Sequence, residues 1–420
     1  MYLSHLSVTH FRNHRHLELD FSGALTLVQG PNAQGKTNLL EAIYYLATSK
    51  PVHAQHEREV VGWQAKDEPI PYCRVAATIR EHAPHSQKSQ EVEIILTSRG
   101  EGEQYQKQVK INGVNRRAMD LIGLLRAVLF LPEDIKLVAG SPSERRRYLD
   151  IALCQIDREY CRSLSAYQKI LTQRNSLLKA LRERRADPTA GATTSQIDFW
   201  DAQLVQHGSD VISARHNFLL KLEELADNRL GSLTDERERL QLQYLPSFNL
   251  GLIDDGEFQF SKGEHYAVTL PQALQTEVTV DQVAEEYAAK LQHRRGREIA
   301  AGLTLYGPHR DDLRFLVNRN DLRMYGSRGQ QRTGALALKL AETEVMQILT
   351  GRAPLLLLDD VMSELDAQRR QTLLNALDGV EQAIVTTTDW ADFSPAFRKQ
   401  ARLLTITGGI VEPVEEEQEG

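Results

Sequence analysis

Short uninterrupted apolar runs near both ends of the chain predict buried strands. Residues 24–28 and 354–358 form two such runs, and residues 383–388, in which Ala, Ile and Val precede three threonines, are predicted as a further strand. Each run is shorter than an ordinary helix, and the buried strands of parallel sheets have this continuous apolar pattern. We therefore expect a parallel sheet whose strands come from both ends of the sequence.

Apolar positions with a helical period predict helices between these strands. In residues 38–48 one face carries Leu39, Leu40, Ile43, Tyr44 and Ala47. Helical stretches are also predicted at 143–185, 195–228, 281–301 and 333–349, with Ser143 as the cap of the first and the breaker-rich residues 186–192 after it. At roughly 1.5 Å per residue the first two stretches would each span about 50 to 65 Å, which is enough for a short arm but not for a long coiled coil.

Alternation of apolar and polar residues predicts a second sheet of a different kind. The alternating segments are 74–79, 91–97 and 106–111, and Asn112-Gly113 is a strong signal for a tight turn. This region after the first helix is therefore expected to be antiparallel. The whole pattern predicts an α/β head in two parts, 1–142 and 303–411, with a mostly helical lobe at 143–302 inserted between them and an acidic tail at 412–420.

A phosphate-binding motif follows the first buried strand. It fits G-x-x-x-x-G-K-[ST] completely and consists of Gly30, Pro31, Asn32, Ala33, Gln34, Gly35, Lys36 and Thr37. In this motif backbone N–H groups surround the phosphates, the lysine reaches the β- and γ-phosphates and the threonine ligates Mg²⁺. A chance match in a glycine turn is the alternative, but the strand before it and the helix after it favour an ATP site.

Two acids stand at the carboxyl end of the strand predicted at 354–358. Ligands of open α/β sheets bind at this end of the strands, so we expect Asp359 to hold Mg²⁺ and Asp360 to act as the base that activates the attacking water. The alternative is that both acids cap the next helix.

A second anion-binding loop is predicted before the helix at 333–349. The segment Ser327-Arg328-Gly329-Gln330-Gln331 is a weak signal by itself and would often be an ordinary loop. Its position resembles that of the signature loop of ABC-type ATPases, which contacts the γ-phosphate held by the opposite subunit. Ser327, Gly329 and Gln330 are therefore candidates for nucleotide binding, and Ser363–Asp366 resembles the D-loop of that superfamily. Thr388 or Asp389 stands where ABC transporters have a switch histidine.

Taken together, the motifs resemble those of the RecF family of recombination-repair ATPases, which are related to SMC-type heads. The resemblance runs from the first residues to about Thr388 and includes Phe11-Arg12-Asn13, Leu131-Pro132-Glu133-Asp134, Gly307-Pro308-His309-Arg310-Asp311-Asp312 and Asp359-Asp360-Val361-Met362. It implies an ABC-type P-loop ATPase head, a dimer that forms with ATP, and RecR and, through it, RecO as partners. It also implies that Arg12 and Asn13 meet the nucleotide and that Pro132-Glu133-Asp134 replaces the glutamine loop.

Charge is unevenly distributed along the chain. The net charge is −7, which argues against binding DNA through a bulk positive field. The segment from Glu144 to Arg185, however, contains eleven Lys and Arg residues and only five Asp and Glu residues, which is an excess of six positive charges. We predict that Arg145, Arg146 and Arg147 contact DNA phosphates; the alternative is a solvated helix face.

The remaining composition favours a large cytosolic enzyme. There are three cysteines without a C-x-x-C pair, and no apolar stretch approaches the length of a membrane span. The histidine in 307–312 is read as part of a hydrogen-bonded turn with a structural or signalling role rather than as a catalytic group.

The predicted function is an ATP-gated protein that dimerises around two ATP molecules and clamps double-stranded DNA at gaps or junctions. The protein would hydrolyse ATP slowly and would assist the loading of a recombinase. Two alternatives stay open: the nucleotide-binding subunit of an ABC transporter, and a nuclease ATPase of the overcoming-lysogeny type. The large insert between Lys36 and Ser327 argues against the first, and the lack of a visible metal-binding nuclease motif after the head argues against the second.

Overall fold

The computed structural model describes residues 2–54, 56–81, 89–100, 104–188, 190–261, 275–377 and 380–414. The chain divides into two compact units, the first made of residues 1–134 and 339–420 and the second of residues 135–338. The predicted helical lobe spans 143–302, whereas the second unit extends beyond both limits and includes Ser327. Of the predicted tail, Glu412 lies in a strand, and residues 415–420 lie outside the described part.

The strands, in chain order, are β1 (Tyr2–Phe11), β2 (His14–Asp20), β3 (Leu25–Gln29), β4 (Tyr72–Arg80), β5 (Ser89–Ser98), β6 (Tyr105–Ile111), β7 (Val114–Arg116), β8 (Ala127–Phe130), β9 (Leu240–Leu245), β10 (Asp312–Val317), β11 (Asn320–Asp321), β12 (Leu355–Asp359), β13 (Ala383–Thr387), β14 (Arg402–Thr407) and β15 (Ile410–Pro413). The helices are α1 (Lys36–Thr48), α2 (Ala118–Leu121), α3 (Ile135–Ala139), α4 (Pro142–Ile156), α5 (Arg158–Glu183), α6 (Gly191–Thr234), α7 (Asp255–Ser261), α8 (Val280–Ala301), α9 (Leu322–Tyr325), α10 (Arg328–Thr350), α11 (Ala367–Leu377) and α12 (Pro395–Lys399).

The parallel sheet of the first unit has the order β15-β14-β3-β13-β12-β8, and only β15 runs antiparallel to its neighbour. The three predicted strands became β3, β12 and β13, and their apolar side chains other than that of Leu25 are buried. Because β13 lies between β3 and β12, their carboxyl ends meet at one edge. This edge brings together residues that are more than 300 positions apart in the sequence.

The predicted antiparallel sheet is also present, with the order β2-β1-β4-β5-β6-β7. The alternating segments became β4, β5 and β6, and the sheet additionally contains β1 and β2. Asn112 and Gly113 have φ angles of 50° and 76°, so both adopt the left-handed conformation that a two-residue turn between β6 and β7 requires.

Long helices dominate the second unit. Here α5, α6 and α8 pack around a small core formed by Leu178, Leu181, Ile197 and Ile299. The 44 residues of α6 correspond to about 66 Å at 1.5 Å per residue. No helix in the described ranges is long and apolar enough to cross a membrane.

Two details of the helices differ from the predictions. Helix α4 is capped by Ser141, whose hydroxyl and backbone N–H both donate to Glu144, so the prediction of Ser143 as the cap was wrong. The helix predicted at 143–185 is divided at Asp157, which accepts a hydrogen bond from the Glu159 N–H and caps α5. The small sheet β11-β10-β9 was not predicted.

A buried arginine holds the three long helices together. Arg174 on α5 is fully buried and donates to Asp201 on α6 over 2.8 Å and to Glu298 on α8 over 2.6 Å. A third bond to the Thr304 hydroxyl, of 2.8 Å, uses another guanidinium nitrogen. Because Glu298 is itself fully buried, it depends on Arg174 for charge compensation.

Candidate nucleotide site

The phosphate-binding loop lies between the carboxyl end of β3 and the start of α1. Within it Ala33 and Gly35 have positive φ angles of 64° and 115°. At Gly35 a Cβ atom would come within 2.7 Å of the Asn13 amide nitrogen, so both the backbone angle and the space require glycine. The following N–H groups open α1, whose N-terminus favours an anion.

Lys36 is positioned for a phosphate by contacts with the loop itself. Its Nζ donates to the Gly30 carbonyl over 2.5 Å and to the Pro31 carbonyl over 3.2 Å, and the residue is only 6% exposed. Burial lowers the pKa of Lys36, whereas the negative charges of Asp360 and Asp359 raise it. A cation whose direct partners are neutral carbonyls fits a polyphosphate ligand.

A chain of hydroxyl–carboxylate bonds connects α1 with the ends of β12 and β13. Thr37 Oγ1 donates to Asp359 Oδ2 over 2.6 Å, and Thr386 Oγ1 donates to the other oxygen, Oδ1, over 2.8 Å. A threonine hydroxyl beside a carboxylate is the ligand set that Mg²⁺ uses together with phosphate oxygens and water. Thr386 was not among the predicted site residues, although its place at the carboxyl end of β13 was a usable signal.

Asp360 is held in an unusual conformation beside this chain. Its φ angle is 49°, and its backbone N–H donates to Thr386 Oγ1 over 3.1 Å. Its Oδ1 is buried and has no hydrogen-bond partner among the described residues. Burial is the main cause of the raised pKa of Asp360; Asp359 and Asp392 raise it further, and Lys36 opposes them. A strained acid with an unsatisfied oxygen is suited to accept a hydrogen bond from a water molecule.

Asn13 lies against the phosphate-binding loop, as its prediction requires. Its Nδ2 donates to the Gln34 carbonyl over 2.9 Å, and its Oδ1 accepts from Asn38 Nδ2 over 2.7 Å. These contacts show that it supports the loop. A direct contact between Asn13 and the nucleotide stays a prediction.

Arg12 is engaged elsewhere in the first unit. Its guanidinium makes two bonds of 2.9 Å to the buried carboxylate of Glu41 on α1 and one of 2.8 Å to the Glu59 carbonyl. In this structure it therefore anchors α1 from outside the loop, and its predicted contact with the nucleotide also stays a prediction.

The turn between β14 and β15 supports the loop from the C-terminal end of the chain. The Gly409 N–H donates to the Gln34 carbonyl over 2.9 Å, and the Gly408 N–H donates to Gln34 Oε1 over 2.7 Å. The buried ring of His14 lies between this turn and the loop, with Nδ1 2.8 Å from the Gly409 carbonyl and Nε2 3.2 Å from the Gly35 carbonyl. This C-terminal brace was not predicted.

The candidate γ-phosphate sensors lie just after β13. The Asp389 carboxylate accepts from the Ala391 N–H and caps the short helix at Trp390–Asp392. The Thr388 carbonyl accepts a hydrogen bond from Gln29 Nε2 over 3.0 Å. The neighbouring Thr387 donates to Asp392, which is also one of the acids that raise the pKa of Asp360.

Asp134, in the segment predicted to replace the glutamine loop, is half-buried and lies near Lys339 of α10. Asp134 Oδ2 accepts a 2.8 Å bond from the Leu131 N–H. Burial raises the pKa of Asp134 to about 6, against the opposing charge of Lys339. Lys339 in turn donates to Glu342 over 2.8 Å, so three charged groups share this region.

Within the second unit, the signature segment forms the first turn of α10. Ser327 Oγ accepts from the Gln330 N–H over 3.2 Å, and Gln330 Oε1 accepts from the Ser327 N–H over 2.9 Å, which is a reciprocal cap. The helix begins at Arg328, five residues before the predicted start at Thr333. Ser327 and Gly329 are exposed there.

The three arginines predicted to bind DNA differ in their surroundings. Arg145 is 2% exposed, and its guanidinium makes bonds of 2.7 and 2.9 Å to the Asp312 carboxylate. Arg146 is half-buried and donates to the Asp311 carbonyl over 2.7 Å, while Arg147 is exposed. Because Arg145 is buried and neutralised in this structure, we no longer expect it to contact a DNA phosphate.

The segment 307–312 forms a hydrogen-bonded turn. The buried carboxylate of Asp311 accepts from the Tyr244 hydroxyl over 2.5 Å and from the Ser247 N–H over 2.6 Å. His309 Nδ1 lies 2.6 Å from the Tyr167 hydroxyl, and Nε2 lies 3.2 Å from the Thr304 carbonyl. Burial lowers the pKa of His309 to about 4, so the ring is neutral near pH 7.

Comparisons with known proteins agree with this geometry. The chain matches the family described as RecF/RecN/SMC N terminal domain over residues 2–410. It is 41% identical to a DNA replication and repair protein RecF of Chloroflexus aurantiacus over 419 residues, which are 98% of this chain and 99% of the relative. A protein of the same name from Bacillus mycoides is 36% identical over 413 residues, 98% of each chain.

Solved structures give the same result. One described as the recombination mediator protein RecF with ATP in the RecFOR pathway has a TM-score of 0.79 at 32% identity and covers 98% of this chain and 97% of its own. A Smc head bound to the C-winged helix domain of ScpA has a TM-score of 0.51 at 14% identity, covering 99% of this chain and 98% of its own, and shows the shared fold alone. The predicted ABC-type ATPase head is thus confirmed as the fold.

Proposed function

Because the chain belongs to the RecF family of DNA replication and repair proteins, whose members are ABC-type ATPases, we propose that it uses ATP to gate the binding of duplex DNA. The observation that carries the proposal is the bond between Thr37 and Asp359, which joins the two halves of the phosphate site. The preferred DNA is double-stranded with a gap or junction, and the bound protein assists recombinase loading there.

Each residue of the site has a distinct role in this proposal. Lys36 and the N–H groups of the loop bind the β- and γ-phosphates, while Thr37 and Asp359 hold Mg²⁺, which supplies charge neutralisation and orientation of the phosphates. Asp360 accepts the proton of the attacking water through Oδ1, which has no hydrogen-bond partner in the described part of the chain. Hydrolysis is slow and is stimulated by DNA, so that ATP acts mainly as a switch.

Assembly follows from the position of the signature serine. Ser327 is exposed at the N-terminus of α10, where it is available to the γ-phosphate of ATP bound by a second copy of the chain. ATP then forms part of the dimer interface. RecR, and through it RecO, are the protein partners that the family membership supports.

Binding assays with and without ATP test this function. Fluorescence anisotropy on duplex, single-stranded and gapped DNA, combined with a mass measurement, should show an ATP-dependent dimer that prefers gapped duplex. Lys36→Met should remove both ATP binding and ATP-dependent DNA binding, whereas Lys66→Met, at an exposed position of the same unit, should remove neither. The proposal would be contradicted if Lys36→Met bound ATP as tightly as the wild type. It would also be contradicted if the protein cut DNA strands in the presence of a divalent cation, or if it were recovered with membranes.

A further inference from the structure

A cavity of about 230 Å³ lies within the second unit, where α4, β10 and α9 come together. Its charged lining consists of four arginines and two aspartates: Arg145, Arg310, Arg314, Arg323, Asp312 and Asp321. A water molecule occupies about 30 Å³ of the liquid, so an oxyanion of phosphate size fits together with solvent. Four positive charges against two negative ones leave an excess of two. We call it the arginine cavity.

The two aspartates neutralise the two buried arginines. Arg145 is paired with Asp312 through two bonds, and Arg314 lies 3.3 Å from Asp321 and is 8% exposed. Asp321 also accepts from the N–H groups of Arg323 and Met324 and so caps α9. These pairs fix the walls of the cavity.

The two remaining arginines carry the excess charge. Arg310 and Arg323 are both exposed. One contact of the Arg310 guanidinium is a 3.3 Å bond to the Thr304 carbonyl, and the Arg323 guanidinium has no hydrogen-bond partner in the described ranges of the chain. Neither arginine is therefore paired with a carboxylate in those ranges.

The walls of the cavity strengthen this field. Leu245, Phe315 and other apolar side chains complete the lining. Low-dielectric walls around charges of one sign focus the potential and raise the local concentration of counter-ions. Guanidinium groups also match the geometry of phosphate oxygens, because each offers two parallel N–H donors.

We propose that the arginine cavity binds a phosphate oxyanion between Arg310 and Arg323, and that a phosphodiester of the DNA backbone supplies it. The inference rests on the proposed DNA binding and gives it a location. It also gives a role to residues 307–312, since Arg310 and Asp312 both belong to that segment. Arg145 then acts by holding Asp312, which explains a buried arginine in a stripe predicted to bind DNA.

The test combines DNA binding with free phosphate in an Asp360→Asn background saturated with ATP, so that the nucleotide site is occupied. In the first arm, anisotropy on gapped duplex is measured from 50 to 200 mM salt. Arg310→Gln/Arg323→Gln should weaken binding about tenfold and reduce the slope of log affinity against log salt by about one, the value for one phosphate. In the second arm, thermal unfolding is compared in inorganic phosphate and in chloride at equal ionic strength, and the same variant should lose the stabilisation by phosphate.

Two further variants make the test specific. Arg184→Gln/Arg297→Gln removes the same charge at exposed positions of the second unit that do not line the cavity and should behave as the parent. Asp321→Asn still offers an oxygen to cap α9 but raises the excess charge of the cavity from two to three, and it should tighten binding. Misfolding would weaken DNA binding in both cavity variants, so weaker binding by Arg310→Gln/Arg323→Gln together with tighter binding by Asp321→Asn would not be explained by misfolding.

The outcomes separate the two sources of phosphate. If stabilisation by phosphate is lost but the DNA slope equals that of the control, the cavity binds free phosphate and its assignment to DNA is overturned. If the cavity variant matches the control in both arms, the whole inference is overturned. If the parent protein fails to bind DNA with ATP but its stabilisation by phosphate still requires Arg310 and Arg323, the proposed function fails and the oxyanion site remains.

Discussion

Thr37 donates its hydroxyl to Asp359 over 2.6 Å, although the two residues are 322 positions apart in the sequence. The bond crosses the edge of the parallel sheet where β3, β13 and β12 end. Thr386, on the strand between them, bonds to the second oxygen of the same carboxylate. Asp359 is thus fixed from two sides, which is the preorganisation that a metal–phosphate site needs.

Asp360→Asn should retain ATP binding but lower the rate of hydrolysis by about 10² to 10⁴, the usual contribution of a general base. In the wild type, the raised pKa of Asp360 means that activity should decline with falling pH sooner than for an ordinary aspartate, because the base must be ionised. Steady-state hydrolysis and ATP binding, measured across pH, check this. Asp20→Asn on the exposed face of β2 is the control, and an unchanged rate in Asp360→Asn would assign the base elsewhere.

Two inactive variants should restore activity when mixed if the nucleotide site is shared between copies. Ser327→Arg places bulk and positive charge where the γ-phosphate is expected, and Lys36→Met removes the phosphate-binding cation. A mixed dimer contains one intact site, so ATP hydrolysis should reappear. As a control, the double variant Lys36→Met/Ser327→Arg mixed with Lys36→Met contains no phosphate-binding loop with its lysine and should stay inactive. A 1:1 mixture as inactive as its parents, or a dimer that forms without nucleotide, would count against shared sites.

Removing the cation that joins the long helices should destabilise the second unit. Arg174→Met leaves Glu298 fully buried without its partner, and losses of this kind cost about 3–5 kcal/mol. Burial already raises the pKa of Glu298, while Arg174 opposes that change. Denaturant unfolding followed by the helical signal should show an earlier midpoint. Lys169→Met, at an exposed position of α5, should leave the midpoint unchanged.

His309 should make the second unit less stable in acid. Its pKa in the folded protein is about 4, below the ordinary value of 6.5, because burial disfavours the charged ring. The unfolded chain therefore binds the proton first, and stability that is present above pH 6.5 is lost as the pH falls towards 4. The loss is on the order of 3 kcal/mol by linkage.

His309→Gln should flatten this dependence between pH 6.5 and 4, since it removes the titrating group. Unfolding free energies of the variant and the wild type at several pH values supply the measurement. His293→Gln, on the exposed surface of α8, should keep the slope of the wild type. Parallel curves for His309→Gln and the wild type would show that other groups control the acid response.

The sequence was most informative where a single local pattern determined the outcome. The strands β3 and β12 followed from short apolar runs, and the phosphate-binding loop followed from glycine positions that the backbone angles require. Asn112-Gly113 likewise predicted its turn, because few other residue pairs adopt two positive φ angles.

Predictions that depended on distant partners were less reliable. Arg145 belongs to a basic stripe, but the sequence does not show that Asp312, 167 residues away, neutralises it. Ser141 and Ser143 are both possible caps, and the choice depends on the side chain of Glu144. The support of Gln34 by Gly408 and Gly409 has no local signature, because glycine pairs occur in many turns.

That support also sets an order of events during synthesis. The ribosome releases the phosphate-binding loop first, whereas Asp359 follows 322 residues after Thr37 and the turn at Gly408–Gly409 follows later still. A nascent chain therefore carries a loop without its metal carboxylate and without its brace. We expect the capacity to hold ATP to arise late and abruptly, so that unfinished chains do not compete with complete ones for nucleotide.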